Sequence, residues 1–394
     1  MSIKAIDKTS IHRITSGQVV IDLQTAVKEL VENSLDAGAT NLEVRFKQYG
    51  LATIEVIDNG GGISEENYEG LALKNHTSKL SSFADLTTVT TFGFRGEALS
   101  SLCALCESVV VSTATQPPMG VTLELESSGK IRHKGKRGTA ITLTNLFSTL
   151  PVRRKEFERN AKREFGKALT LLNAYALGPC SSRNGVRLTV SNQAEKGHVE
   201  QKSVQIRTPG TPSLRESVSA LWGPKALDDV VDLDLSFLVE RDKVALKRAT
   251  DSENRPIQAV VRGLISKFAV ACGRTGTDRQ FFYINGRPCN LSKIQKAFNE
   301  VYRSFNATQS PFIIADLILP TDSCDINVSP DKRSILLHHE ANLISAFKPL
   351  SLKVMNEPTP RMWWPRRETS FRRRSLRASA RPWPSPSTVT IHQM

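Results

Sequence analysis

Long apolar runs are missing from this 394-residue sequence. Nowhere do about eighteen apolar residues follow one another, the length a membrane-spanning helix needs, and the opening Met1-Ser-Ile-Lys-Ala-Ile-Asp-Lys8 has no signal-peptide core. Both absences lead us to expect a soluble intracellular chain without a membrane partner. Cysteine is sparse: Cys103, Cys106, Cys180, Cys272, Cys289 and Cys324 are too scattered for a disulfide framework. Cys103 and Cys106 form a Cys-x-x-Cys, but neither a second pair nor a histidine cluster lies beside them to complete a metal site. Packed core thiols are expected there. Acidic residues are in the minority, 39 against 53 Lys and Arg, for a net charge of +14. That balance points to a polyanionic partner, nucleic acid before membrane, and says nothing of chemistry.

The chain is long enough for two or three domains with real cores. Its most informative stretch is Thr25-Ala-Val-Lys-Glu-Leu-Val-Glu-Asn-Ser-Leu-Asp-Ala-Gly38. Residues four apart share a helix face, so Glu29 and Asn33 aim a carboxylate and a carboxamide at one place, bordered by Ala26, Leu30 and Ala37. Val27, Val31 and Leu35 form a stripe that can bury against a sheet. Lys28, Glu32 and Asp36 suit a wetter face and permit Lys28–Glu32 pairing. Gly38 suits the helix stop. An isolated pair of this kind is most simply a solvated surface feature, so its company decides.

Upstream, residues 3–24 predict a short helix and a turn. Downstream, Leu42, Val44 and Phe46 alternate with polar residues as in a half-buried strand, and a second strand, Ala52–Asp58, runs into Gly60-Gly-Gly62. A carboxylate ending a strand can accept a hydrogen bond from a ring amino group, and the glycines let a ligand approach the main chain; an ordinary capped turn is the equal alternative. Residues 63–89 predict a flap that includes Thr77, Ser78 and Lys79. It ends in Thr91-Phe-Gly-Phe-Arg-Gly-Glu-Ala-Leu-Ser100, where a helix beginning near Glu97 after a glycine turn would offer free amides and a helix dipole to an anion. Strands are expected at 108–114, 121–126 and 140–146, the last opened by Gly138-Thr139. A basic helix begins near Leu150, carrying Arg153, Arg154, Lys155, Arg159, Lys162, Arg163 and Lys167; it is either a solvated face or a nucleic-acid contact. Residues 193–212 predict a loop and linker. A second domain is then expected from 213 to 348, with a strand at Gln280–Ile284, a tight Asn285-Gly286 turn, a helix Lys293–Phe305 and Lys332 just beyond a strand end. Residues 349–394 make a tail. From 357 onward it holds eight arginines, no lysine and Trp363, Trp364 and Trp383 without apolar period, so disorder is expected.

Glu29-x-x-x-Asn33, Asp58-x-Gly60-x-Gly62 and Gly93-Phe-Arg-Gly96, in this order, resemble the nucleotide-binding motifs of the GHKL ATPases, the group of gyrase B, the ninety-kilodalton heat-shock chaperone, histidine kinases and MutL. The wording of Lys28–Thr40, His76-Thr-Ser-Lys79, Gly93–Leu99 and Asp325-Ile-Asn-Val-Ser-Pro-Asp-Lys332 is similar to MutL itself. Ser16-Gly-Gln-Val-Val20, Phe147-Ser-Thr-Leu-Pro-Val-Arg153 and Asp278-Arg-Gln-Phe-Phe282 resemble its eukaryotic PMS-type branch. The likeness runs from residue 1 to about 348. It implies an α+β chain: a GHKL (Bergerat) α/β sandwich over 1–212 that binds Mg-ATP, then a transducer over 213–348 resembling the second domain of ribosomal protein S5.

Carried over to this sequence, the resemblance makes Glu29 the general base, Asn33 the Mg²⁺ ligand and Asp58 the adenine reader, with Gly60 and Gly62 making room. Thr77, Ser78 and Lys79 fall in the lid, Gly93, Phe94, Arg95, Gly96, Glu97, Ala98 and Leu99 wrap the phosphates, Thr139 belongs to the nucleotide pocket, and Lys332 reaches the γ-phosphate. It implies slow ATP hydrolysis that gates dimerisation and DNA binding, with an MLH-type MutL homologue as heterodimer partner, MutS homologues and DNA as further partners, and a nuclear location. Two departures stand out. Gly61 replaces a frequent cysteine, and the family's C-terminal dimerisation domain and Asp-Gln-His-Ala-type endonuclease motif have no counterpart in these residues, so no nicking activity is expected of them. The competing expectation is a module that binds ATP and DNA and regulates without significant catalysis.

Overall fold

In the alternation of Leu42, Val44 and Phe46, the last two are answered across the pair by Val56 and Ile54, so strands β1 (Asn41–Lys47) and β2 (Thr53–Asp58) pack one shared apolar face that ends at Asp58 opposite Leu42. This is a computed structural model, which describes residues 5–79, 91–93, 95–115, 120–125, 131–134, 139–182, 184–196, 199–240, 256–269, 271–325, 328–329 and 332–356. Phe94 and residues 357–394 lie outside the described residues, whereas 349–356, expected as the start of the tail, continue the helix Glu340–Asn356. With β3 (Ser108–Thr113), β4 (Val121–Leu125), β5 (Ile131–Lys134), β6 (Thr139–Thr144), β7 (Arg187–Lys196) and β8 (Val199–Arg207), these strands form an eight-stranded sheet in the order β5-β4-β3-β6-β2-β1-β7-β8. β1 and β7 run parallel.

The buried face of that sheet shares one core with α1 (Lys8–Val19), α2 (Leu23–Asp36), α3 (Ala98–Leu105) and α4 (Pro151–Leu177). α2 supplies Leu23, Val27, Leu30 and Val31, each at most 1% exposed. Burying a side chain of that size contributes about 1.5–3 kcal/mol, so this helix is anchored independently of its polar face. Its start is fixed by Asp22, whose carboxylate accepts from the Thr25 N–H at 2.8 Å. The opposite face of the sheet is polar: Arg45 bridges Glu43 and Glu55 at 2.7 and 3.0 Å.

Residues 193–212, expected as loop and linker, are instead mostly strand: β7 pairs antiparallel with β8 from Thr189↔Arg207 to Lys196↔Val199. β8 ends the sheet and exposes every residue except Ile206, so it lacks the apolar alternation that marks a strand. α4 begins with Pro151 at a position where its missing N–H costs nothing, and its regular dihedrals are interrupted at Asn160.

A second sheet contains β9 (Val230–Val239), β10 (Ile257–Ser266), β11 (Gln280–Ile284), β12 (Arg287–Cys289) and β13 (Ile313–Ile318), in the order β12-β11-β13-β10-β9. Its core includes α6 (Ser292–Arg303) and α7 (Glu340–Asn356). The turn between β11 and β12 has φ of 51° at Asn285 and 78° at Gly286, the left-handed pair that Asn-Gly favours in a two-residue hairpin. A third cluster ties the sheets together. It joins Leu177 at the end of α4 and Val218 of α5 (Leu214–Trp222) to Phe281, Tyr283, Phe312 and Ile314, and the Tyr283 hydroxyl donates to the Ala174 carbonyl at 2.8 Å. Lys332 lies between the two strands of a short antiparallel pair, β14 (Cys324–Asp325) and β15 (Leu336–Leu337). Among the described residues no helix is long and apolar enough to cross a membrane.

Candidate active site

The polar face of α2 is drier than its sequence suggests. Lys28 and Glu32, assigned above to a wetter face, are 2% and 1% exposed. Their pairing is present at 2.7 Å, and Lys28 also reaches Glu29 at 3.0 Å. Two distant groups exclude the water: the Tyr175 hydroxyl of α4 donates to Glu32 at 2.7 Å, and Lys332, between β14 and β15, approaches Glu29 at 3.2 Å and Glu32 at 3.9 Å, covering this face from two sides. Two lysines and two glutamates thus share one buried cluster. Burial pushes the Glu29 carboxyl up, but Lys28 and Lys332 outweigh it and hold it below the ordinary value of 4.5. Burial wins at Lys332, which falls below 10.5 despite Glu29 and Glu32.

Along the same helix, Ser34 donates to Asp58 at 2.7 Å and the Gly60 amide donates to its other oxygen at 2.9 Å. Asp58 is 8% exposed, and burial raises its carboxyl above 3.8. Asp36 binds the glycine turn, taking the Phe92 N–H at 2.8 Å and the Gly93 N–H at 2.9 Å. Lys79 sits between two oxygens, 2.9 Å from Asn33 Oδ1 and 2.6 Å from Asp36 Oδ2.

These groups open on one cavity of about 900 Å³. Glu29, Asn33 and Lys332 contribute to its wall from α2 and the second domain, and Asp58, Gly62 and Thr139 from the strands β2 and β6 and the turn after β2. Thr77, Ser78 and Lys79 line it from the segment after Lys74. Gly93, Arg95, Gly96, Glu97, Ala98 and Leu99 line it from the approach to α3. The first amides of α3 have no intrahelical acceptor, as at any helix start. Gly96 has φ of 63°, and a Cβ there would come within 2.2 Å of the His76 carbonyl oxygen, so no other residue fits the turn. Gly60, expected to make room for a ligand, is not in the wall. It packs against the end of α2, where a Cβ would meet the Ala37 carbonyl at 2.8 Å, and Gly61 faces the cavity instead.

Two regions of this architecture match known families. A model of the histidine kinase-, DNA gyrase B-, and HSP90-like ATPases matches residues 21–146, and a model of the DNA mismatch repair protein C-terminal domain matches residues 241–352. The chain is 46% identical over 352 residues to the mismatch repair endonuclease PMS2 of Gallus gallus and 45% identical over 352 residues to that of Homo sapiens. The chain belongs to the MutL family of DNA mismatch repair proteins. The alignments cover 88% of this MutL chain and 40% of each relative, so it spans about two-fifths of their length. The crystal structure of the N-terminal domain of a DNA repair protein is 40% identical, with a TM-score of 0.75, over 88% of this chain and 98% of that one. The chain therefore carries the N-terminal ATPase module of a PMS-type MutL protein; α2, α3 and strands β1–β6 fall in the region matched by the ATPase model, and the second sheet from β10 onward falls in the region matched by the mismatch repair C-terminal domain model.

Several residues that shape this MutL site carry no sequence signal of their own. Asp36 lies on the face of Asn33, three residues on, and that spacing could have drawn attention to it. Ser34 and Tyr175 become visible only through the partners that the fold brings to them. The Cys-x-x-Cys is packed as expected: Cys103 and Cys106 are each 3% exposed and unpaired, and burial pushes the Cys103 thiol up to about 12. Among the described residues no group of three His, Cys, Asp or Glu side chains could hold a metal ion.

The opposed shifts at Glu29 and Asp58 set a pH dependence. A carboxyl lowered by folding stabilises the fold fully above its unfolded value, 4.5 for Glu29, and that contribution drains as pH falls through the folded value. Asp58, raised above 3.8, costs the fold when ionised, and acid relieves that cost. The gap in melting temperature between wild type and Glu29→Gln should therefore narrow as pH is lowered from neutrality to below 4.5, read by thermal denaturation at each pH. A constant gap would remove the charge of Glu29 from the stability of the site.

Proposed function

We propose that this chain binds Mg-ATP in the cavity and hydrolyses it slowly, with Glu29 as the base that orients and deprotonates water. The observation that carries this reading is the approach of Lys332 to Glu29 at 3.2 Å across 303 residues. It sets a cation from the second domain beside the candidate base at a cavity edged by free helix amides. Asp58 also lines the cavity, and each of its oxygens, though already taking one hydrogen bond, keeps a lone pair for an amino group of the purine. Thr139 and Gly62 border it, and Thr77, Ser78 and Lys79 belong to a lid over the phosphates. Gly93, Arg95 and Gly96 shape the turn that leads to the amides at the start of α3, and Lys332 supplies charge to the terminal phosphate. Phosphoryl transfer to water needs such positioning and charge more than covalent chemistry.

The residues present also fit a divalent cation. Asn33 and Asp36 already direct oxygens at one positive group, the Lys79 ammonium. A hard cation that keeps waters and takes phosphate oxygens needs few protein ligands, and Asn33 is the residue we assign to hold it. When bound, Mg²⁺ supplies electrophilic charge to the phosphates. Asn33→Ala should abolish Mg-dependent nucleotide binding, measured by titration of ATP with and without the metal. Retained Mg-dependent affinity would remove Asn33 from the site.

A second reading, a module that binds nucleotide without turning it over, is favoured by one feature: two lysines depress the basicity of Glu29. Steady-state phosphate release decides between the two. At the level of the family, we propose further that nucleotide gates association with an MLH-type MutL homologue in the nucleus, contact with MutS homologues, and DNA binding. The exposed Lys155, Arg159, Lys162, Arg163 and Lys167 of α4 form a basic face for phosphate. Arg153 and Arg154 do not belong to it: they tie α4 to the end of α1 and to neighbouring turns, donating to the carbonyls of Gly17 and Val20 and of Leu51 and Leu146.

A further inference from the structure

The rim of the cavity at Thr91–Gly93 is gripped from two sides. From α2, Asp36 takes the amides of Phe92 and Gly93. From β12 of the second sheet, Arg287 donates Nη2 to the Thr91 carbonyl at 2.8 Å and Nη1 to the Phe92 carbonyl at 3.2 Å, and its guanidinium lies 5.0 Å from the Phe92 ring centroid. Arg287 is 7% exposed, and among the described residues it forms no salt bridge. A buried cation satisfied only by main-chain carbonyls and a ring is an expensive way to pack two domains. Arginine is suited to it because its planar fork can serve two acceptors while stacking.

The platform under Arg287 is stiff. The Gly286 amide donates to Asp316 Oδ1 at 3.0 Å, and Asn285 Nδ2 donates to the Leu319 carbonyl at 2.9 Å, locking the β11–β12 hairpin onto the strand β13 and the residue that follows it. Thr91 and Gly93 themselves line the cavity, and the chain runs on through Gly96 to the amides at the start of α3.

We propose that Arg287 is a positioning residue for the phosphate side of the site. It holds the carbonyls of Thr91 and Phe92, with Asp36 holding the Gly93 amide, so that the turn through Gly96 presents the amides at the start of α3 to the cavity, and it makes the geometry of that rim depend on the placement of the second sheet. The inference rests on the ATPase reading above. Its effect should fall on turnover more than on nucleotide capture, because a rim shifted by a fraction of an ångström still binds but no longer aligns.

The test uses the whole chain with R287K and R287A, measuring kcat for ATP, the Kd for ADP and the melting temperature. Lysine keeps the charge and one hydrogen bond but lacks the planar fork, and it covers the case in which the alanine variant does not fold. R287K should lower kcat by about tenfold or more while the Kd for ADP stays within about threefold and the melting temperature within a few degrees. A kcat within about threefold of wild type, or a parallel loss of kcat, ADP affinity and thermal stability, would overturn the assignment. Wild type and Glu29→Ala are assayed alongside. Absent wild-type turnover sinks the ATPase reading and this inference with it, whereas normal Glu29-dependent turnover with an unaffected R287K sinks this inference alone.

Discussion

Glu29→Ala should reduce ATP turnover by about 10²–10⁴-fold, the range that a positioned acid–base group supplies, while nucleotide affinity changes little. Glu29 is 6% exposed, is reached by Lys28 and Lys332 at 3.0 and 3.2 Å, and lines the cavity. Glutamine at the same position keeps the shape and can still accept a hydrogen bond, but it cannot take a proton. Glu29→Gln should therefore be as inactive as the alanine variant while remaining closer to wild type in stability. Phosphate release under saturating Mg-ATP, with ADP affinity measured in parallel, makes the comparison. Equal turnover in wild type and Glu29→Ala would end the assignment of Glu29 as base and leave the binding-only reading standing.

The largest effect on stability is expected at a residue that does not line the cavity. Lys28→Met removes a cation that is 2% exposed and bonded to Glu29 and Glu32 at 3.0 and 2.7 Å. Breaking a buried ion pair from one side costs about 3–5 kcal/mol because a charge is left uncompensated, a large part of the roughly 5–15 kcal/mol that holds a domain folded. Urea unfolding should register it. Neutralising a glutamate as well, in Lys28→Met/Glu32→Gln, should recover part of the loss, since removing both partners removes the stranded charge. A single variant within about 1 kcal/mol of wild type would mean that Lys332 alone can serve both carboxylates.

Much of this chain was legible before its structure. The period of Leu42–Phe46, the Asn285-Gly286 turn and the helix start near Glu97 depend on local chemistry, and each stands where the pattern placed it. The Glu29–Asn33 pair was legible as geometry, because helix pitch alone puts both on one face. What could not be read were effects of distant coverage. Lys28 and Glu32 look solvated until Tyr175 and Lys332 close over them. β8 reads as a loop because a strand at a sheet edge has no need of apolar alternation. Arg153 and Arg154 read as part of a charged face, and only the fold shows Arg153 spent on main-chain carbonyls and Arg154 shared between carbonyls and Glu158.

The cluster of Lys28, Glu29, Glu32 and Lys332 has a thermodynamic corollary. Its formal charges cancel, so an anionic guest that takes the ammonium of Lys332, as proposed above, would compete with Glu29 and Glu32 for it. The segment carrying that ammonium lies between β14 and β15, so on that reading the guest's binding free energy would include the work of releasing it. Equilibrium linkage then runs both ways: whatever factor the guest applies to the seating of that segment, a perturbation of the segment applies to the affinity for the guest.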